Sequence, residues 1–444
     1  MAIIKRAVFY CPFYLYQLIF SMLMKHFLLI YVLISVFSSC DRKLETVLTI
    51  DGYTIDSNQF FSSIDSVSYK KLNSGSKKEI IFNFAKEWIA ANEAKQLGQT
   101  LSISDTNRLL STKNNFIFET VFNNYIVPQV VNDTSIVNTI SSAIRTNHEV
   151  SEIIVYHSLS KGNYEKRTPD EARKIAQIII NRIQSKNITF KEAVSIYTKI
   201  PSNKLRNGSL GLISYGKLPK NYSDEIWNKP EGTIIGPIKT EYGYHVVKLG
   251  SSEDNNRQLD KVQIKNKIKR GSYGVLKNQM DKFSLMLRAK YNARLDTLSI
   301  IDLWNKIEVE TNYKREPFSK LNDINFKHTL GYLNNEQLSL DWFIDKSFQY
   351  AEINATTNRF SHGLLLNFES ILDRTLINLW AIDSKIINEE NLNYKINAIR
   401  NNFLMKRYIH LKKKREPILT KEAILNQAAL LHDININENF FNNN

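Results

Sequence analysis

Cysteine is almost absent from this chain. Only Cys11 and Cys40 occur among its 444 residues, and Cys11 lies in the apolar N-terminal segment. The remainder therefore cannot form an internal disulfide, and its stability must come from packing. Hydrophobic residues make up 43% of the sequence, which is enough for real cores, and the length predicts about two to four domains.

The sequence also lacks the motifs of several kinds of chemistry. No group of His and Cys residues has metal-ligand spacing, and no Ser or Cys lies in a nucleophile motif. Residues 211–218 imitate a phosphate-binding loop, but Leu218 stands where a Ser or Thr would hold Mg²⁺. We therefore expect neither a metal nor a cofactor.

Acidic residues are outnumbered by basic ones, which gives a net charge of +15. Two basic clusters, at residues 261–270 and 412–415, lie on helical patterns and are accompanied by no nucleic-acid motif. A solvated basic face, which also favours anionic lipid or acidic clients, explains them better. We expect no nucleic-acid partner.

The first 39 residues contain no acid. Lys25 and His26 precede an apolar run at residues 27–37, and Ser38-Ser39-Cys40 follows, which indicates a secretion signal over residues 1–39. The segment resembles a bacterial lipoprotein signal with Cys40 lipidated, although Phe37 stands where Leu is commoner, and translation from Met24 would shorten it. A membrane-spanning anchor over residues 10–37 is the alternative. Either way, the body would face a non-cytoplasmic space on a membrane.

The most informative stretch lies between residues 149 and 250. A β-branched strand at 153–155 precedes a helix at 168–184, which begins with Thr168, Pro169 and two acids as cap and first turn. A second helix at 189–197, a Gly-rich turn, a short helix and a final strand at 243–248 follow. This order predicts a small α+β domain.

Three motifs in this stretch resemble a parvulin, the small α+β prolyl isomerase domain. Asn207-Gly208-Ser209-Leu210-Gly211 stands at the parvulin Gly-Gly-Asp-Leu-Gly turn, and Leu218-Pro219-Lys220-Asn221-Tyr222 at Met/Leu-Val-Pro-x-Phe. Residues 231–245, ending in Thr240-Glu241-Tyr242-Gly243-Tyr244-His245, follow the closing motif of the family. Because several spaced elements agree, the resemblance is specific.

The resemblance implies the residues of a site. It assigns the walls of a prolyl pocket to Leu210, Leu218, Tyr222 and Trp227, and places Thr240, Tyr242 and His245 around the reacting amide. Glu152 stands where parvulins carry a first-strand His, with His157 too far along the strand to replace it, and Lys199-Ile200 stand near a usual Asp or Cys. A Glu facing His245 would accept its N–H and rebuild the polar network.

The flanking segments are mainly helical. Residues 40–146 resemble the N-terminal chaperone module of SurA, PrsA and trigger-factor foldases, and residues 257–320 are expected to complete it after the parvulin domain at 147–250. A partial internal echo predicts a second chaperone-like module at 325–434, and the asparagine-rich tail at 435–444 is predicted to be disordered. The expected fold class is therefore α+β, with helical modules around a small antiparallel sheet.

These expectations converge on a foldase, a prolyl isomerase and chaperone for exported or outer-membrane proteins. Its partners would be unfolded polypeptides with X-Pro bonds, and a lipid on Cys40 would hold it on the periplasmic side, most simply at the outer membrane. The alternative is a chaperone whose parvulin domain only binds polypeptide, which Glu152 and Lys199-Ile200 favour. A scaffold lipoprotein with one fixed partner is a third reading.

Overall fold

The computed structural model describes residues 45–161, 165–311, 321, 324–350 and 361–443. The predicted signal at residues 1–39 and the proposed lipidation at Cys40 lie outside the described residues, as does part of the predicted segment 257–320. The chain divides into two compact units, one formed by residues up to Ala90 together with those from Ile409, and the other by Ala91–Tyr408.

The strands are short, except for two near the centre of the chain. In chain order they are β1 (Thr46–Ile50), β2 (Tyr53–Asp56), β3 (Thr146–Val155), β4 (Ser209–Ser214), β5 (Ile234–Thr240), β6 (Gly243–Asp254), β7 (Arg294–Leu295), β8 (Gly331–Leu333), β9 (Glu336–Leu338) and β10 (Ile434–Ile436).

Helices account for most of the remaining described residues. In the first half of the chain they are α1 (Ser57–Phe61), α2 (Ser66–Lys70), α3 (Ser74–Gln96), α4 (Ile103–Val121), α5 (Val127–Val131), α6 (Thr134–Ala143), α7 (Pro169–Gln184), α8 (Phe190–Tyr197) and α9 (Pro201–Leu205), with a π-helical turn at Phe122–Ile126. In the second half they are α10 (Lys220–Ile226), α11 (Lys261–Lys269), α12 (Val275–Lys290), α13 (Thr297–Thr311), α14 (Leu340–Gln349), α15 (Ser361–Asp383), α16 (Glu389–Arg415), α17 (Lys421–Ala429) and α18 (Glu438–Asn443), with a 3₁₀ turn at Ser272–Gly274. In the described residues, no helix is long and apolar enough to cross a membrane.

The first unit joins the two ends of the described chain in one antiparallel sheet of order β10-β1-β2. The antiparallel pairing of β1 with β2 forms a hairpin around Asp51-Gly52. The disorder predicted for residues 435–444 is wrong over residues 435–443, because β10 pairs with β1 and α18 buries Phe440. The prediction relied on the high asparagine content of the tail. Ile434, Ile436 and Phe440 nevertheless supply enough apolar contacts to order it.

The boundaries of the units differ from the predicted modules at 40–146 and 325–434. Residues 409–443 belong with residues 45–90. Within the second unit, α4 and α15, which the prediction assigned to different modules, share one buried cluster with α12 and α13. Long-range apolar packing therefore joins segments that local patterns had separated.

The second unit also contains the small antiparallel sheet that was predicted. It has four strands, in the order β4-β3-β6-β5. On one face, α7 and α8 bury alternate residues of β3 and β6 such as Ile153 and Val246. The cap predicted at Thr168 is confirmed, and Thr168 and Thr189 each form a capping box with a Glu three residues later. The predicted α+β fold is confirmed.

The other face of the sheet is covered by α10 and by helices that lie outside the predicted isomerase segment. One buried cluster combines Val150 and Val247 of the sheet with Ile140 of α6, Ile264 of α11 and Leu276 of α12. Burying these side chains stabilises the sheet and its flanking helices together. The sheet face that bears His245 is thus part of a larger core.

Candidate active site

The register of the sheet brings Glu152 and His245 to the same face. Ile154 of β3 lies opposite His245 of β6, so Glu152, two residues earlier, is the diagonal neighbour of His245. Long side chains reach across such a diagonal. Oε2 of Glu152 lies 2.7 Å from Nδ1 of His245, and both residues are buried.

Tyr222, on the short helix α10, reaches the same carboxylate oxygen. Its hydroxyl donates to Oε2 of Glu152 at 3.1 Å, and its ring meets that of His245 edge-on, with the centroids 5.1 Å apart. Burial, and then the charge of Glu152, raise the pKa of Tyr222 well above its ordinary value. The phenol therefore remains a donor over any physiological pH range.

Thr240, at the end of β5, completes the network on the other side of the imidazole. Its Oγ1 lies 2.6 Å from Nε2 of His245 and accepts the backbone N–H of Tyr242 at 3.1 Å. An ionised Glu152 can only accept, so it holds the proton of His245 on Nδ1. In the neutral ring Nε2 then accepts from the hydroxyl of Thr240, and every donor has an acceptor.

The remaining predicted site residues differ in their placement. Leu210 and Leu218 are partly buried and pack against the cluster that contains Tyr222. The side chain of Tyr242 is 38% exposed, and Nζ of Lys161 lies 5.3 Å from its ring centroid. Lys199 pairs with Glu165 on the surface at 3.0 Å.

Trp227, the fourth residue assigned to the pocket walls, contacts a flanking helix. Its indole N–H donates to the carbonyl oxygen of Ala143, the last residue of α6, at 2.9 Å. Its ring packs edge-on against His148 and Tyr215. The structure thus brings Glu152, Tyr222, Thr240 and His245 together and directs Trp227 towards the flanking helix.

Sequence reasoning missed His148 and Tyr215. His148 lies four residues before Glu152 on the same face of β3, so the alternation of the strand could have revealed it. Burial lowers the pKa of His148, and a hydrogen bond with the backbone of Trp227 partly offsets that effect. His157 lies beyond the end of β3, and its Nδ1 accepts the backbone N–H of Leu159.

The family model described as "Rotamase: PPIC-type PPIASE domain" matches residues 156–251. Foldase protein PrsA of Geobacillus kaustophilus is 23% identical over 150 residues, which are 31% of this chain and 53% of that protein. Chaperone SurA of Pseudomonas syringae pv. syringae is 29% identical over 124 residues, which are 28% of either chain. The chain thus spans about half the length, or less, of these curated relatives.

A solved structure of PrsA from Bacillus anthracis is 15% identical and covers 46% of this chain and 96% of that one, with a TM-score of 0.23. The fold and the family match define a parvulin-type peptidyl-prolyl isomerase domain. More particularly, residues 156–251 belong to the PPIC-type family, and the chain is similar to the foldase PrsA and the chaperone SurA.

Proposed function

We propose that this protein is a foldase that catalyses prolyl cis-trans isomerisation in unfolded exported polypeptides. The observation that carries the proposal is the buried network of Tyr222, Glu152, His245 and Thr240, at the positions where the parvulin resemblance places the site. The match of residues 156–251 to the PPIC-type family supports it.

Isomerisation needs no covalent step. The X-Pro bond rotates over a barrier of about 20 kcal/mol, and a site accelerates the rotation by binding the twisted amide more tightly than the planar one. Apolar walls formed by Leu218 and the ring of Tyr222 would hold the prolyl ring. The fixed imidazole of His245 and the hydroxyl of Thr240 would present an ordered polar edge to the amide, with Tyr242 at its rim.

The extracytoplasmic setting also belongs to this proposal. A signal at residues 1–39, with Cys40 as the lipidated first residue of the mature protein, would tether the foldase on the periplasmic side of a membrane, which we propose is the outer membrane. Its clients would be unfolded chains with X-Pro bonds. The similarity to foldase PrsA and chaperone SurA supports this setting.

The test is isomerisation of short X-Pro peptides by the full chain, compared with His245→Ala and Tyr222→Ala. The full chain is needed because helices outside residues 156–251 cover one face of the sheet. Acceleration that both substitutions abolish in folded protein supports the proposal. A folded wild-type chain that does not accelerate the reaction overturns its enzymatic part.

A second candidate function is binding without catalysis. The position of Glu152 favours it, since parvulins carry a His there. The substitution Glu152→His distinguishes the isomerase from the binding domain. If Glu152 has abolished catalysis, the change to His should increase the rate of isomerisation. If the active site works through Glu152, the same change should lower the rate. Peptide affinity measured on the same variants shows whether the groove is intact.

A further inference from the structure

Three of the four residues assigned to the walls of the proposed pocket lie on one short stretch, residues 215–227, which we call the pocket segment. It contains Leu218 and helix α10 with Tyr222. Residues outside the matched domain contact both ends of this segment.

At its C-terminal end, the pocket segment is tied to α6. The indole N–H of Trp227 donates to the carbonyl oxygen of Ala143, where α6 ends and its last carbonyls have no partner within the helix. This bond ties the C-terminal end of α10 to α6, because Trp227 is the residue that directly follows the helix.

At its N-terminal end, the pocket segment meets the turn between α11 and α12. Tyr273 lies in this turn with φ at +65°, between Gly271 at +84° and Gly274 at +63°. A left-handed conformation is unfavourable for a tyrosine and persists only where the surroundings hold it. The ring of Tyr273 packs against that of Tyr215, with the centroids 6.1 Å apart.

The approach of this turn to the pocket segment leaves little room. A Cβ on Gly216 would lie 2.8 Å from the ring of Tyr273, and a Cβ on Gly274 would lie 3.3 Å from Cβ of Lys220, the first residue of α10. Tyr273 thus fills the space over the turn that leads to Leu218. The glycine at 216 is what allows the ring to sit there.

We propose that Tyr273 is a positioning residue for prolyl-peptide binding. Its ring holds the Gly216 turn down, so that Leu218 keeps its spacing from Tyr222, Glu152 and His245. This inference rests on the proposed function and deepens it, because it makes the helices after the isomerase domain part of the machinery that shapes its pocket. The buried cluster shared by Tyr222, Ile268 and Val275 provides the supporting packing.

The test compares Tyr273→Gly with Tyr273→Phe in the full chain. Glycine accepts φ at +65° without strain, so the backbone is retained while the ring is lost. We expect Tyr273→Gly to raise KM for an X-Pro tetrapeptide by about tenfold with kcat little changed, since the network of Glu152 is untouched. Tyr273→Phe keeps the ring and should have the same KM as the wild type.

The split between KM and kcat distinguishes positioning from general stability. A merely structural role would lower the folded, active fraction, and hence kcat, at constant KM. Tyr332→Ala is the control for the loss of a partly buried tyrosine ring elsewhere in the protein. Tyr332 lies on β8, and the guanidinium of Arg294 lies over its ring. If Tyr273→Gly does not fold, Tyr273→Asn replaces it, because Asn also tolerates a left-handed conformation.

The dissociation constant for the same peptide is measured alongside turnover. If the wild type binds the peptide without turnover, the enzymatic part of the proposed function fails, and a tenfold weaker binding by Tyr273→Gly still supports the inference. An unchanged KM and dissociation constant in folded Tyr273→Gly overturn the inference alone. A wild-type chain that neither binds nor isomerises the peptide overturns both.

Discussion

Oε2 of Glu152 lies 2.7 Å from Nδ1 of His245, and the same oxygen accepts the hydroxyl of Tyr222 at 3.1 Å. One buried carboxylate oxygen therefore joins β3, β6 and α10. Hydrogen bonds to an ionised group are shorter and stronger than neutral ones, and they compensate for the burial of its charge. The network orients the imidazole and anchors the helix that bears a wall of the proposed pocket.

Tyr222→Phe should lower the stability of the folded protein more than it lowers the affinity for peptide. The ring remains, but Glu152 loses one of its two donors, which we expect to lower the free energy of unfolding by about 1.5–3 kcal/mol. Urea denaturation gives the stability, and initial rates on an X-Pro peptide give KM, which should change little. Tyr244→Phe is the control, since Tyr244 is buried on the opposite face of the sheet. A stability loss no larger than that of the control would mean that the hydrogen bond from Tyr222 to Glu152 does not stabilise the fold.

The closing strands of the domain depend on a glycine at position 236. A Cβ there would lie 2.4 Å from the carbonyl oxygen of His245, with φ at +134°, whereas a Cβ on Gly232 meets nothing within 4 Å at φ of +80°. We expect Gly232→Ala to cost about 1–2 kcal/mol of folding free energy from backbone strain alone. Gly236→Ala should cost more, above about 3 kcal/mol, because β5 must also move away from β6.

Urea midpoints of both glycine variants measure this difference. Equal losses of stability in the two variants would mean that β5 can shift away from His245 at no cost in folding free energy. A large loss for Gly236→Ala alone would show that the close approach of the two strands, and not the positive φ, determines the requirement for glycine.

The sequence predicted the local features of this domain well. Thr168 caps its helix as predicted, and the contact between Glu152 and His245 that the resemblance implied is present. The cap follows from a short-range rule, because it needs residues three apart. The contact joins residues 93 positions apart, and it was predictable because the resemblance pairs these two strand positions. Residue roles in catalysis remain predictions.

Long-range contacts that have no counterpart in the parvulin resemblance were not predictable from the sequence. The bond from Trp227 to Ala143 joins residues 84 positions apart, and its partner is a backbone carbonyl that any residue could supply. Tyr273 adopts a conformation that its side chain does not favour. Ile434–Ile436 form a strand only because β1 offers a free edge. Such features depend on the assembled fold.

His148 should make the stability of the protein depend on pH. Burial lowers its pKa below the ordinary value of 6.5, so between the folded pKa and 6.5 the unfolded chain binds a proton that the folded chain does not. Stability therefore rises with pH through that window and is lost on acidification. We expect His148→Gln to reduce the loss between pH 7 and pH 5, measured by urea denaturation.

The exposed His410 provides the comparison for this effect. His410→Gln removes a histidine from an exposed position by the same substitution, and the difference between the two variants isolates the contribution of His148 from that of other titrating groups. The same slope in both variants would mean that His148 does not resist protonation in the folded protein.

The C-terminal segment should be an integral part of the first unit. Phe440 is 1% exposed and lies among Phe60, Phe61 and Tyr69, with ring centroids about 6 Å away. Phe440→Ala should therefore cost about 3–5 kcal/mol and increase amide hydrogen exchange throughout β1, which pairs with β10. Asn442→Ala, at an exposed position of the same helix, should leave exchange unchanged. If Phe440→Ala leaves β1 as protected as in the wild type, the hairpin at residues 46–56 holds its strand without the C-terminal segment.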